Sequence, residues 1–146
     1  MQTSIQSFQE LQVYQLAFRC SVEVYELAQA FPENPDSYLT RRLLATSRAV
    51  RAHIARAWGK RRVGIAWPEA NRLALINQLS LAQLEAAEMQ TWIEAAVAVG
   101  YLDGAAGQDL YDHYRCIFAA LDQLMENALA GEKPVEERED DLPATA

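Results

Sequence analysis

The clearest period in the chain lies towards its C-terminal end, where Leu110, Tyr114, Ile117, Leu121, Leu124 and Ala128 recur four and three apart, with Asp112, Arg115, Asp122 and Glu126 opposite. That spacing places one apolar stripe on one face of an α-helix. Glycine and proline divide the rest of the chain, at Pro32 and Pro35, at Gly59, Gly64 and Pro68, at Gly100, Gly104 and Gly107, and at Gly131 and Pro134. Between them run residues 1–31, 36–58, 69–99 and 108–130, rich in Ala, Leu, Gln, Glu and Arg, which lose little on entering a helix. No segment keeps the strict apolar–polar alternation of a half-buried strand. The pattern predicts an all-α fold, an antiparallel four-helix bundle. Gly100 is expected to end the third helix, and the Asp103 carboxylate to accept from free amides of the first turn in the segment leading into the fourth.

The first and third helices carry more apolar surface than one bundle face uses. Val13, Ala17, Cys20, Val24, Leu27 and Phe31 form one stripe of the first, and Leu11, Tyr14, Phe18, Val22 and Tyr25 a second. Together they cover an arc of about 240°, against about 100° for an ordinary surface helix. In the third, Leu73, Leu75, Ile76, Leu79, Leu81, Leu84, Met89, Trp92 and Ile93 spread around most of the circumference. The surplus is expected to be covered between subunits, because large exposed apolar patches are rare in monomers. A homo-oligomer follows as the expectation.

The length of 146 residues allows one domain with a real core. Residues 1–130 are expected to form the bundle, and the acidic stretch 131–146 a disordered tail. No apolar run approaches the length of a membrane span, and the start of the chain has neither a basic nor an apolar leader segment, so a cytoplasmic address without membrane contact is expected.

The net charge of −7 is strongly segregated: residues 1–40 carry −4, residues 41–72 carry +8 and residues 73–146 carry −11. The middle block holds Arg41, Arg42, Arg48, Arg51, Arg56, Lys60, Arg61, Arg62 and Arg72, with Glu69 its single acid. On a helical wheel Leu39, Leu43, Val50, Ile54 and Trp58 of the second helix share an arc of about 100° and the cations take the rest. Lys60, Arg61 and Arg62 lead into a segment containing Trp67, where guanidinium groups and an indole could meet unpaired bases. Such asymmetry points to a polyanionic partner. Three readings stay open: contact with RNA or DNA, a solvated face neutralised by acidic residues of neighbouring subunits, and an acidic protein surface. The tail could also compete for the basic block and weaken non-specific binding.

Catalytic constellations are missing from the pattern. A di-iron bundle site needs a Glu-x-x-His pair, and the residues three before His53 and His113 are Val50 and Leu110. Neither a phosphate-binding glycine loop, a nucleophile elbow nor zinc-type spacing occurs, and Cys20 and Cys116 read as small hydrophobes. Glu85 and Glu88 share a helix face with nothing beside them that suggests an acid–base pair. The sequence is therefore read as a non-enzyme without cofactor or metal.

Several segments are similar to the four-helix-bundle family encoded within intervening sequences of bacterial 23S ribosomal RNA genes. Ser7-Phe-Gln-Glu-Leu-Gln-Val-Tyr14 resembles that family's opening Ser-Phe-x-x-Leu-x-Val-Trp, and Phe31-Pro32 closes the first helix in the expected place. Ile54-Ala-Arg-Ala-Trp-Gly-Lys-Arg61 resembles Ile-Ala-Glu-Gly-Phe-Gly-Arg-Arg; Glu69-x-x-Arg72, Ser80-Leu-Ala-Gln-Leu-Glu85 and Gly100-Tyr-Leu102 follow in order. Departures add basic groups or a potential one: Arg51 and His53 stand where the family has Pro and Asn, and Arg56-Ala57 replaces its Glu-Gly. The segment between Gly59 and Glu69 is also about four residues longer than the family's spacing. These departures resemble a specialised branch, the accessory variability determinants of diversity-generating retroelements. That resemblance implies a homopentamer that binds a reverse transcriptase and its template RNA through the basic surface and has no catalytic residue of its own. The alternative is an oligomeric protein-interaction scaffold without nucleic acid contact.

Overall fold

A computed structural model describes residues 11–32, 37–60 and 69–129. They form α1 (Gln12–Ala28), α2 (Tyr38–Gly59), α3 (Glu69–Ala98) and α4 (Gly104–Leu129), with no strand among the described residues. The expected disordered tail, the segment holding Arg61, Arg62 and Trp67, and the motif residues before Leu11 lie outside the described residues.

α2 packs chiefly on α3 and α3 on α4, while α1 lies against α2 and, less extensively, α4. Along α2 and α3, Arg42 meets Glu88 and His53 meets Gln78; between α3 and α4, Gln83 donates to the Phe118 carbonyl at 3.0 Å. The core between the helices follows the apolar periods. All six members of the α4 stripe are buried, as are Leu43, Val50, Ile54 and Trp58 of α2, with Leu39 half-buried at its edge. The first α1 stripe is buried as well, except for the half-buried Leu27. The second stops at Leu11 and the half-buried Tyr14: Phe18, Val22 and Tyr25 are 44%, 41% and 59% exposed. α3 likewise leaves Leu73 and Leu84 exposed while burying Leu75, Leu79, Met89 and Ile93.

The turn between α3 and α4 obeys its local chemistry. Gly100 has φ +83°, a left-handed conformation that a side chain disfavours, and the amides of Gly100 and Tyr101 donate to the carbonyls of Val97 and Ala96. Asp103 Oδ1 accepts from the Ala105 amide at 2.8 Å, a cap of the kind that contributes about 1 kcal/mol. α4 nevertheless begins four residues before the expected boundary. Gly107 does not break the helix; it is buried where any side chain would collide with Val97, so its missing Cβ lets α4 approach α3. Cys116 also differs from its sequence reading: it is exposed, whereas Cys20 is buried and its thiol is pushed up to about 12 by desolvation.

Candidate nucleic-acid interface

α2 is amphipathic because its apolar residues recur every three or four positions, and this fixes where each arginine can go. Taking about 100° per residue, the side opposite Val50 carries Arg41, Arg48 and Arg56 within an arc of about 80°. All three are exposed, as is Lys60 at the helix end. Ala45, Ala49 and Ala52 lie between them, half-buried, and keep the surface level. At 1.5 Å per residue the arginines stand about 10 and 12 Å apart along the axis. Among the described residues none of these four cations pairs with a carboxylate.

The other described arginines of the basic block, Arg42, Arg51 and Arg72, turn towards neighbours. Arg42, on the α3 flank, donates to Glu88 Oε2 at 2.6 Å, and its guanidinium lies 5.9 Å from the Trp92 ring centroid. That hydrogen bond holds the Glu88 carboxyl below its ordinary range, against the opposing effect of desolvation, with help from the Trp92 indole N–H donating at 2.8 Å. Arg51, on the α1 flank, lies 5.2 Å from the Phe18 ring, and its Nε is buried without a hydrogen bond. Arg72 pairs with Glu69 one turn earlier in α3, which the spacing of the two residues foreshadows. Thus the structure brings Arg41, Arg48 and Arg56 onto one outward face, leaves Lys60 exposed at the end of the helix, and assigns Arg42, Arg51 and Arg72 to contacts within the bundle.

His53 links the two roles. Its Nδ1 lies 3.1 Å from Gln78 Oε1 on α3 and 3.0 Å from an Arg56 guanidinium nitrogen. One ring nitrogen cannot serve both at once, since it accepts from Arg56 only without a proton and donates to Gln78 only with one. Tyr38, outside the sequence-derived set, begins the same face; it is exposed, with Arg41 over its ring at 6.0 Å. Its position three residues before Arg41 is the sequence signal for this contact.

No group of three or more His, Cys, Asp or Glu side chains among the described residues is arranged to hold a metal ion. No helix among them is long and apolar enough to cross a membrane.

These features define an all-helical bundle with one outward cationic helix face. A model of the 23S rRNA-intervening sequence protein family matches residues 9–123, and the chain belongs to that family. Among solved structures it is similar to a protein of unknown function from the S23 ribosomal protein family of Bacteroides thetaiotaomicron, with 19% identity and a TM-score of 0.65 over 78% of this chain and 98% of that one. At that identity the likeness concerns the fold. A search of curated proteins gives no match.

Proposed function

We propose that this chain is a non-catalytic, nucleic-acid-binding accessory protein of the cytoplasm. In this reading it is an antiparallel bundle that works as a homo-oligomer and takes RNA phosphates along the outward face of α2. The observation that carries the reading is the row Arg41, Arg48 and Arg56, with Lys60 at the helix end, exposed and without carboxylate partners among the described residues, on a chain whose net charge is −7. On an acidic chain such a row makes a local positive surface, and a polyphosphate laid along it binds with release of condensed counterions. The exposed Phe18, Val22 and Tyr25 supply an apolar face for self-association. The more particular role is support of a reverse transcriptase and its template RNA. It draws on the resemblance to retroelement accessory proteins, which also implies five copies, and on the exposed Arg56 that stands where the family has Glu.

Purified protein is expected to retain structured RNA at about 50 mM salt, a permissive condition for phosphate contacts. Arg48→Glu combined with Arg56→Glu should abolish retention while the sedimentation of the particle stays that of the unsubstituted protein. Retention unaffected by this double reversal contradicts the reading. Loss of assembly, with no RNA retained by either form, favours the protein-interaction scaffold.

A further inference from the structure

Tyr38 is the first residue of α2 and is 56% exposed. It lies about 60° around the helix from Arg41 and so continues the outward row of cations at its N-terminal end. Its ring meets Trp92 of α3 edge to face, with centroids 5.8 Å apart and planes at 79°. Trp92 is itself held: its indole N–H donates to Glu88 Oε2 at 2.8 Å, and the same oxygen accepts from Arg42 at 2.6 Å. The guanidinium of Arg41 stands 6.0 Å from the Tyr38 centroid. The ring is therefore braced on one side by a Trp92 that is fixed in turn, and more than half of its surface faces solvent.

Surfaces that hold single-stranded nucleic acid combine a cationic track for the backbone with aromatic faces on which bases stack. The row on α2 is such a track, and Tyr38 is an aromatic at its end. A braced ring loses little freedom on binding, which preserves the gain from stacking. Duplex nucleic acid keeps its bases stacked internally and gains nothing from Tyr38. We infer that Tyr38, braced by Trp92 and flanked by Arg41, is a stacking site for an unpaired base, so that this face takes single-stranded nucleic acid in preference to duplex. The inference rests on the nucleic-acid reading proposed above and names the form of ligand that reading leaves open.

The test compares a single-stranded oligoadenylate of about 12 nucleotides, within the range such surfaces cover, with an RNA duplex of equal length, by fluorescence anisotropy at low salt. Tyr38→Ala should weaken the single strand by about fivefold or more, the loss of one stacked base, and leave the duplex unchanged. Its salt dependence should stay that of the unsubstituted protein, because no cation has been removed. Tyr38→Trp should hold the single strand at least as tightly as tyrosine does. Equal losses on strand and duplex, or no loss on the strand, overturn the inference.

A second measurement needs no substitution: the unaltered protein should bind an abasic strand of the same length more weakly by the same factor, and equal affinity for the two strands overturns the stacking site. Should the unaltered protein bind neither strand nor duplex, the nucleic-acid reading fails and the stacking site with it. Binding of both, with no sensitivity to Tyr38 or to the bases, removes the stacking site alone.

Discussion

Both α2 and α4 bury one apolar stripe and turn charge outward, yet the outward charge of α4 is mainly acidic, with Arg115 donating to its own Asp112 at 2.8 Å, whereas that of α2 is cationic and open. The contrast shows that the angle of an arginine around its helix sets its role. At the flanks of α2, Arg42 and Arg51 reach α3 and α1 and become part of the packing. On the crown, Arg41, Arg48 and Arg56 reach no carboxylate among the described residues, and their charge remains available to a partner. Helix α1 adds a third case, an outward stripe that is apolar instead of charged.

The comparison breaks most visibly in the core of α4. Leu121 is fully buried, and Leu121→Ala should cost about 2–5 kcal/mol in chemical denaturation while leaving the RNA affinity of the folded molecules unchanged. A parallel loss of affinity in the folded fraction would mean that the two faces are not independent. A smaller effect is expected at the α2–α3 flank. The Glu88 carboxyl titrates below its ordinary value of 4.5, so its contribution is present above that pH and is lost as pH falls through the lowered folded value. Glu88→Gln should therefore lower the melting temperature at pH 7, and the gap to the unsubstituted protein should narrow as pH falls below the ordinary carboxyl value. A gap independent of pH would show that the carboxylate charge contributes nothing there. The smallest effect is expected on the outer face of α4, where Arg115→Ala should change stability by less than about 0.5 kcal/mol, as exposed pairs do, and RNA retention not at all. A clear loss of retention would place binding on the wrong helix.

The buried face of each helix was legible because burial follows a period of three and four that a chain displays directly, and α4 is the plainest example. The turn at Gly100 and the cap at Asp103 were legible for the same reason: both are local chemistry. The start of α4 was not. Gly107 looks like a break in sequence, and only its contact with Val97 shows that the glycine serves helix approach. The basic block was visible as a charge total, but its division between crown and flank depends on partners far along the chain, such as Glu88 for Arg42 and Phe18 for Arg51. Tyr38 escaped notice because its meaning comes from Trp92, which lies on another helix.

The central claim is that the crown of α2 carries the phosphate contacts, and the salt dependence of RNA binding tests it most directly. Each single-strand phosphate neutralised contributes about −0.7 to the slope of log affinity against log salt. Arg41→Gln, Arg48→Gln and Arg56→Gln together should reduce the magnitude of that slope by about 2 for each row engaged, with the helical content and particle size unchanged. A slope identical to that of the unsubstituted protein would contradict the claim.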